Sequence, residues 1–286
     1  MKSREIHNVA VIGAGTMGHG IAQVAAQAGA SVILNDVSPE FIAKGLERIQ
    51  ANLEGGIQRG KLTAGDRDQV LSRVAGEESF ETAVADVDLV IEATPEKEDL
   101  KRDLFEKLGR LTPAETILAS NTSSLGVARV TDPAGRPAKC VGMHFFNPPH
   151  IMKLLEVIRT DRTSEDTLRS VDEIAERMGK QVIRVKDFPG FATSRLGVTL
   201  GVEAMRMLEE GVASAEDIDK AMELGYKHPM GPLRLTDLVG LDVRLAILEH
   251  LERELGDRFK PPEILRKAVK QGKLGKKTGE GFYSWT

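Results

Sequence analysis

A histidine and a glutamate beside apolar segments are the residues best suited to acid–base chemistry. His144 directly follows the apolar run 139–143, and Glu156 comes twelve residues later, inside the apolar run 154–158. A carboxylate within an apolar strand is costly unless it is paired, and an imidazole is a natural partner for it. A carboxylate on one ring nitrogen fixes the tautomer and so presents the other nitrogen to a ligand. We therefore predict a catalytic His144–Glu156 pair, although a lone histidine is more often structural.

A glycine-rich turn between two predicted strands is typical of dinucleotide-binding sites. An apolar strand pattern at 9–12 leads into G-A-G-T-M-G at 13–18, and a helix of small residues follows to about residue 28. The first glycine permits a tight turn, the second lets a pyrophosphate approach, and the third lets the helix lie close to the strand. Phosphates would bind at the helix N-terminus. The flanking elements favour this interpretation over a structural glycine turn, and the candidate cofactor-binding residues are Gly13, Gly15, Thr16, Met17 and Gly18.

Asp36 indicates which dinucleotide would bind. It follows the second predicted strand, residues 31–34, where a carboxylate can accept hydrogen bonds from both ribose hydroxyls. The same carboxylate would repel a 2′-phosphate. The sequence therefore predicts NAD, and not NADP, as the cofactor.

Other polar residues follow later predicted strands, at the edge where an open parallel sheet binds ligands. The apolar run 89–91 leads into E-A-T-P-E at 92–96, and the strand 116–119 leads into S-N-T-S-S at 120–124. Residues at this edge are candidates for the cofactor site by their position. The hydroxyl and amide groups of 120–124 could serve a ligand, or they could cap the following helix.

Strands and helices alternate as far as residue 186, and the pattern is helical beyond it. Such an alternation predicts a parallel sheet, whereas an all-helical domain must bury its apolar faces on itself, on the first domain or on another copy. We predict an α/β Rossmann-type N-terminal domain at 1–186 and an all-α C-terminal domain at 187–286. The predicted helices after the glycine turn span residues 40–59, 64–74, 96–108, 164–178, 191–210, 214–224 and 237–255.

Composition narrows the class of protein. Hydrophobic residues make up 41% and charged residues 29% of the 286 residues, which is ordinary for a globular protein. The net charge of -4 gives no electrostatic reason to expect binding to nucleic acid or to an anionic membrane. The single cysteine, Cys140, cannot form an internal disulfide and lies in an apolar run, which favours a buried, inert thiol. No secretory signal, membrane span or metal-ligand spacing is recognisable, so we expect a cytoplasmic protein without a metal.

Several phrases of the chain, in the same order and over almost its whole length, resemble the L-3-hydroxyacyl-CoA dehydrogenase family, which includes the bacterial 3-hydroxybutyryl-CoA dehydrogenases. The resemblance implies reversible, NAD-dependent oxidation of an L-3-hydroxyacyl-CoA to the 3-ketoacyl-CoA, with a short-chain ester such as 3-hydroxybutyryl-CoA as the substrate. It also implies a homodimer formed through the C-terminal domain. The phrases are G-A-G-T-M-G at 13–18, S-N-T-S-S at 120–124, G-M-H-F-F-N-P at 142–148, M-K-L-L-E-V at 152–157, D-F-P-G-F at 187–191 and G-K-K-T-G-E-G-F at 275–282.

The resemblance also implies roles for individual residues. His144 matches the base that removes the hydroxyl proton, Glu156 the acid that orients this base and stabilises its charged form, and Ser123 the serine that binds the reacting oxygen of the substrate. Arg59 lies at the end of the long predicted helix from which the family contacts CoA, and Lys61 lies just beyond it, so both are plausible contacts to CoA phosphates. A solvated helix face is the alternative interpretation. Positions near the cofactor in the family match Glu96, Lys101, Asn147 and Lys277.

Ser194 departs from the family pattern. The family usually has P-G-F-x-x-N-R where this chain has P-G-F-A-T-S-R at 189–195, and a hydroxyl offers fewer hydrogen bonds than an amide. Ser194 stays a candidate catalytic residue, but its contact with substrate and the preferred acyl chain length are open. Two alternatives also stay open: an NAD-dependent dehydrogenase of a free hydroxy or sugar acid such as L-gulonate, and a non-catalytic NAD-binding protein.

Overall fold

The computed structural model describes residues 4–285, which divide into two compact units. The first unit ends at Asp187 and the second begins at Phe188, one residue later than the predicted boundary. Asp187 belongs to the first unit because its carboxylate oxygens accept hydrogen bonds from the backbone N–H groups of Val127 and Ala128, each at 2.8 Å. The residue therefore holds the beginning of a helix in that unit.

The described part of the first unit is built on an eight-stranded sheet. The strands are β1 (Asn8–Ile12), β2 (Ser31–Asn35), β3 (Val74–Gly76), β4 (Leu89–Glu92), β5 (Ile117–Ser120), β6 (Cys140–Phe145), β7 (Leu154–Arg159) and β8 (Gln181–Lys186). Their spatial order is β3-β2-β1-β4-β5-β6-β7-β8. Strands β1 to β6 are parallel, β7 runs antiparallel to β6, and β8 runs parallel to β7.

Helices cover both faces of this sheet, so the first unit has the predicted Rossmann-type α/β fold. Alternate residues of β1 pack into different cores, with Val9 and Val11 in one core and Ala10 and Ile12 in the other. A strand covered on both faces is apolar throughout, which is why β1 is recognisable in the sequence. The helices are α1 (Gly18–Gln27), α2 (Pro39–Gln58), α3 (Ala64–Leu71), α4 (Phe80–Val84), α5 (Glu98–Leu111), α6 (Val127–Thr131) and α7 (Glu165–Arg177).

The helix predicted at 64–74 is too long. Helix α3 ends at Leu71, and Val74 begins β3, which pairs with β2 at the edge of the sheet. Val74 is half-buried and the other two residues of β3 are exposed. An edge strand this short has no apolar run of its own, and its pairing with β2 decides its conformation.

The second unit is helical, as predicted. Its helices are α8 (Thr193–Glu209), α9 (Ala215–Gly225), α10 (Pro232–Val239), α11 (Leu241–Leu255) and α12 (Glu263–Lys270). The single helix predicted at 237–255 is wrong because the chain turns at Gly240, whose φ of +106° lies outside the helical region. Across residues 4–285, no helix is both long enough and apolar enough to span a lipid bilayer.

Two buried aspartates organise the second unit. Asp237 accepts hydrogen bonds from the backbone N–H groups of Phe282 and Tyr283, each at 2.9 Å, and from the indole N–H of Trp285 at 2.8 Å. Asp219 accepts from the N–H groups at the beginning of α10 and from the hydroxyl of Tyr283. These two carboxylates hold the C-terminal segment, residues 282–285, against helices α9 and α10 through hydrogen bonds.

Cys140, on β6, has the buried thiol that its apolar surroundings predict. Burial raises the pKa of this thiol to about 11. The thiolate is the nucleophilic form of a cysteine, so a nucleophilic role for Cys140 is disfavoured.

Candidate active site

Strands β6 and β7 place His144 and Glu156 directly opposite each other. Their antiparallel register pairs these two positions, and Nδ1 of His144 lies 2.7 Å from Oε2 of Glu156. Glu156 is 0% exposed and His144 is 7% exposed. Because the carboxylate binds Nδ1, Nε2 is the ring nitrogen that would exchange a proton with a ligand. The structure therefore brings together the two residues that could perform acid–base catalysis.

Glu96 organises the polar loop that follows β5. Its Oε1 accepts hydrogen bonds from the hydroxyl of Thr122 at 2.6 Å and from the backbone N–H groups of Ser123 and Ser124 at 2.9 and 3.1 Å. The hydroxyl of Ser123 lies 3.3 Å from the same oxygen. Burial acts to raise the pKa of Glu96, but the charge of Lys101 and the hydrogen bonds from the loop outweigh it and hold this pKa below its usual value.

The capping interpretation of residues 120–124 is not supported. Helix α6 begins after Gly126 without a side-chain cap, and Asp187 accepts the hydrogen bonds of its first N–H groups instead. The hydroxyl groups of Thr122, Ser123 and Ser124 instead meet the carboxylate of Glu96. Glu96 thus fixes the backbone at Ser123, the predicted substrate-binding serine.

Lys101 is 1% exposed, and its ammonium group has three acceptors. Its Nζ lies 2.6 Å from Oε1 of Glu92, 3.2 Å from the carbonyl oxygen of Thr94 and 3.3 Å from Oε2 of Glu96. An ammonium group has three donors, so these contacts account for all of them. Lys101 can support the site through Glu96, and its predicted direct contact with the cofactor stays a prediction.

Sequence reasoning did not single out Glu92, although a signal was present. This acid ends the apolar strand β4 and is fully buried, as Glu156 is in β7. Its Oε2 accepts a hydrogen bond from the hydroxyl of Ser120 at 2.6 Å, and its Oε1 contacts Lys101. The rule that a buried acid needs a partner also applies to Glu92.

The glycine turn fits a dinucleotide. Gly13 has φ +103°, and an added Cβ would lie 2.6 Å from the carbonyl oxygen of Ala93; a Cβ on Gly18 would lie 1.6 Å from the carbonyl oxygen of Gly13. A Cβ on Gly15 would meet no atom within 4 Å. Two glycines are therefore required by close packing, whereas the third faces open space where a pyrophosphate can approach the backbone.

The surroundings of this turn fit the same ligand. Helix α1 begins after Met17 without a side-chain cap, and Thr16 is exposed, so the N-terminal N–H groups can bind phosphate. Asp36 directly follows β2, and its Oδ2 accepts a hydrogen bond from the backbone N–H of Ala14 at 2.6 Å. The carboxylate thus lies beside the turn, where a ribose would follow the pyrophosphate. Asn147 is exposed two residues after β6, and its cofactor contact stays a prediction.

The predicted CoA contacts Arg59 and Lys61 are exposed and follow the end of α2. Arg59 belongs to a group of cationic and titratable side chains that we call the basic patch: His19, Arg48, Arg59, His150 and Lys180. Burial lowers the pKa of His150, and the charges of His19, Arg59 and Lys180 lower it further. Burial also lowers the pKa of His19, against the hydrogen bond from His19 to Gly15, and Arg48 adds to the decrease.

The basic patch has the charge that a phosphate-bearing ligand requires. His150 also contacts Asn52 of α2, with 3.4 Å between the imidazole Nδ1 and the amide Nδ2. Sequence reasoning found only Arg59 because the other members come from separate segments that the fold brings together. The CoA contacts of Arg59 and Lys61 stay predictions.

Two predicted site residues belong to the second unit. Ser194 lies in the first turn of α8. Lys277 has its Nζ 2.6 Å from both carboxylate oxygens of Asp242. The catalytic role of Ser194 and the cofactor contact of Lys277 stay predictions.

Comparison with known proteins identifies the family. Residues 8–188 match the family described as "3-hydroxyacyl-CoA dehydrogenase, NAD binding domain", and residues 190–285 match "3-hydroxyacyl-CoA dehydrogenase, C-terminal domain". A probable 3-hydroxybutyryl-CoA dehydrogenase of Deinococcus radiodurans is 47% identical over 279 residues, which cover 96% of this chain and 99% of the relative. A 3-hydroxybutyryl-CoA dehydrogenase of Bradyrhizobium diazoefficiens is 42% identical over 281 residues, which cover 98% of this chain and 96% of the relative.

A solved structure has the same fold over the whole chain. The crystal structure of (S)-3-hydroxybutyryl-CoA dehydrogenase from Ralstonia eutropha matches with a TM-score of 0.95 at 40% identity, covering 99% of this chain and 100% of that chain. The predicted family, fold class and cofactor are confirmed. The chain belongs to the 3-hydroxyacyl-CoA dehydrogenase family and is an NAD-dependent oxidoreductase.

Proposed function

We propose that this enzyme oxidises L-3-hydroxyacyl-CoA esters with short acyl chains, such as L-3-hydroxybutyryl-CoA, to 3-ketoacyl-CoA, and that it also catalyses the reverse reaction. The observation that carries the proposal is the buried contact between His144 and Glu156 at 2.7 Å. The names of the similar proteins, 3-hydroxybutyryl-CoA dehydrogenases, support the choice of substrate. The basic patch supports a ligand that carries the phosphates of CoA.

In the oxidation, Nε2 of His144 accepts the proton of the C3 hydroxyl, and Glu156 stabilises the imidazolium that forms. When bound, NAD supplies the nicotinamide ring that accepts the hydride from C3. Loss of the proton as the hydride leaves lowers the barrier because an alkoxide is a far better hydride donor than an alcohol. In the reverse direction the imidazolium polarises the carbonyl group and returns the proton.

Four further side chains would bind or orient the substrate. The hydroxyl of Ser123 donates a hydrogen bond to the reacting oxygen, while Glu96 holds the backbone of Ser123. Ser194 takes the place of the family asparagine and hydrogen-bonds the substrate. Arg59 and Lys61 bind CoA phosphates. Each of these groups binds or orients, and His144 alone exchanges the proton.

The test is an assay of the purified protein with acetoacetyl-CoA and NADH, followed by the loss of NADH absorbance. Parallel reactions replace NADH with NADPH and the CoA ester with free acetoacetate, and a further reaction contains L-gulonate and NAD. Turnover of the CoA ester with NADH alone is the expected result. Turnover of a free acid without turnover of any CoA ester would overturn the proposal in favour of a dehydrogenase of free hydroxy or sugar acids.

We also propose that two copies associate through the second unit. Large apolar side chains remain exposed there on α8, α10 and α11, and burial against a second copy would remove this surface from water. The exposed apolar residues are Leu196, Leu200, Leu235, Leu238 and Val243.

We also propose a cytoplasmic location, since the one cysteine is a buried thiol with no disulfide partner within the chain.

A further inference from the structure

Asn121 joins the polar loop that follows β5 to the strand that carries His144. Its Oδ1 accepts a hydrogen bond from the backbone N–H of Phe145 at 2.8 Å. The regular ladder between β5 and β6 ends earlier, at the pair formed by Ser120 and Gly142. The side chain of Asn121 therefore continues the connection between these strands as far as Phe145, the residue that directly follows His144.

The backbone of Asn121 is also fixed. Its N–H donates to the carbonyl oxygen of Glu92, at the end of β4, at 2.8 Å. Strands β4 and β6 lie on either side of β5, so Asn121 is bound to both neighbours of the strand that it follows. Phe145 is 2% exposed, and a buried N–H group needs an acceptor. The contact with Asn121 supplies this acceptor where the ladder no longer does.

The loop that begins at Asn121 is held at two further places. Glu96 accepts hydrogen bonds from the backbone N–H groups of Ser123 and Ser124, and Asp187 accepts those at the beginning of α6. Of these three anchors, the one at Asn121 leads to β6. It therefore relates the position of Ser123 to the strand of the proposed proton acceptor.

We propose that Asn121 is a positioning residue that sets the place of the Ser123 hydroxyl relative to the imidazole of His144. This inference rests on the proposed function, in which Ser123 and His144 act on the same oxygen atom of the substrate. Because the ladder between β6 and β7 holds His144, loss of the contact would move the loop and not the histidine. A displacement of about 1 Å can lower a rate by about 10²-fold. Asn121 itself exchanges no proton.

Two substitutions separate the acceptor from the size of the side chain. Asn121→Leu replaces the amide by an apolar group of similar size, whereas Asn121→Asp keeps an oxygen that can accept the N–H of Phe145. We expect kcat for the reduction of acetoacetyl-CoA to fall by about 10²-fold in Asn121→Leu and much less in Asn121→Asp. The Kd for NADH, measured by fluorescence titration, should change little in either variant.

Thr116→Val is the matched control, because it removes a buried hydrogen bond at the opposite end of β5. The hydroxyl of Thr116 donates to the carbonyl oxygen of Val87 at 2.6 Å. Thr116→Val should therefore lower the melting temperature and leave kcat close to that of the wild type. An equal loss of kcat in Thr116→Val and Asn121→Leu would mean that any weakening of the sheet lowers activity, which would overturn the inference.

A double-mutant cycle tests whether Asn121 acts through Ser123. Ser123→Ala removes the hydroxyl that Asn121 is proposed to place, so the further substitution Asn121→Leu should change kcat by no more than about twofold. Groups that act as a unit lose their effect together. Losses of kcat that multiply in the double variant would overturn the inference. If Asn121→Leu does not fold, Asn121→Ser, whose hydroxyl is attached one bond closer to the backbone, takes its place in the cycle.

Amide hydrogen exchange gives a result that does not depend on turnover. The N–H groups of Ser123 and Ser124 should exchange about tenfold faster or more in Asn121→Leu, because the loop opens more readily, but not in Asn121→Asp or Thr116→Val. Unchanged exchange in Asn121→Leu would overturn the inference. A failure of the proposed function looks different, since the wild type itself would then not reduce acetoacetyl-CoA.

Discussion

At the residue scale, two buried acids of one sheet have partners with different chemistry. Glu92 contacts the ammonium group of Lys101, and Glu156 contacts the imidazole of His144, the side-chain type that most often exchanges protons in catalysis. The first pair supports the Glu96 loop through the contact between Lys101 and Glu96. The second pair can change its protonation during a reaction, which makes it the one suited to catalysis.

Substitution of Glu156 by glutamine tests the electrostatic part of this assignment. Glu156→Gln keeps an oxygen that can accept the Nδ1 hydrogen bond of His144 but removes the charge that stabilises the imidazolium. We expect kcat for acetoacetyl-CoA reduction to fall by about 10²–10³-fold, with KM changed only a few-fold. Steady-state kinetics measures both values, and NADH fluorescence verifies that cofactor binding is intact. An unchanged kcat would refute the role of the carboxylate.

Lys101 should matter for stability more than for chemistry. Lys101→Met leaves Glu92 buried without its cation, and breaking a buried pair in this way costs about 3–5 kcal/mol. We expect a decrease of this order in the free energy of unfolding, measured by urea denaturation followed by circular dichroism. The control is Lys107→Met, which removes an exposed lysine from the same helix, α5, and should have little effect. Similar stability of the two variants would contradict the structural role of Lys101.

At the element scale, substitutions of two glycines in the turn before α1 test folding and cofactor binding separately. Gly15→Ala adds a methyl group where the structure has room, so we expect a melting temperature close to that of the wild type. The same methyl group occupies the approach of the pyrophosphate, so the Kd for NADH should rise roughly tenfold or more. Fluorescence titration measures the Kd.

Gly18→Ala is the matched comparison for Gly15→Ala. Its new methyl group would meet a backbone carbonyl oxygen at 1.6 Å, so the turn or the helix must move and the melting temperature should fall. If Gly15→Ala were as destabilised as Gly18→Ala, the open space at Gly15 would not be a ligand site.

Local sequence patterns predicted most elements of the fold, and the errors have local causes. Buried strands such as β4 were predicted because both of their faces are apolar, and α2 because Ser38 caps it and Pro39 begins it. The break between α10 and α11 was not predicted, since a single glycine is compatible with a continuous helix pattern. The antiparallel direction of β7 has no local signal at all, because it depends on the path of the chain between β6 and β7.

The residues of the candidate site likewise fall into those that local sequence patterns predict and those that they do not. His144, Glu156 and the glycine turn were predictable, because an acid in an apolar strand and a glycine spacing are visible in the sequence. The contacts of Lys101 and the basic patch were not, because their members come from separate elements. No local pattern indicates that Arg244 of α11 is buried, which only the three-dimensional packing reveals.

At the scale of the whole molecule, the basic patch should couple CoA binding to pH. The pKa values of His19 and His150 lie below the ordinary value of 6.5, and a bound phosphate would raise them. CoA therefore binds most tightly when both histidines are protonated. This extra affinity is fully present below the pKa values that the histidines have in the free enzyme, and it is lost as the pH rises through their pKa values in the complex. We therefore expect CoA to bind several-fold more tightly at pH 6 than at pH 8.

Calorimetric titration with coenzyme A in buffers of different ionisation enthalpy measures this coupling as proton uptake. His150→Gln should reduce the uptake, whereas a substitution of the half-buried His250, outside the patch, should not. Binding without proton uptake would show that the phosphates lie elsewhere.

The proposed dimer makes a prediction for the whole assembly. A dimer has twice the chain mass of 31.1 kDa. The double variant Leu196→Glu/Leu200→Glu introduces charges on the exposed apolar side of α8 and should give a species of the single-chain mass in light scattering, because charges are costly to bury in an interface. The control Ile151→Glu makes the same change at an exposed apolar residue of the first unit and should remain dimeric.

The cross-strand position of His144 and Glu156 has a consequence for how this enzyme could change over evolution or in the laboratory. Both side chains are attached to hydrogen-bonded neighbours inside the sheet, so their distance is set by the ladder between β6 and β7 and not by any loop. Loops that would contact the acyl chain of the proposed substrate can then be lengthened, shortened or exchanged while the proposed proton acceptor stays in place. Redesign for a new substrate can begin with those loops and leave these two strands untouched.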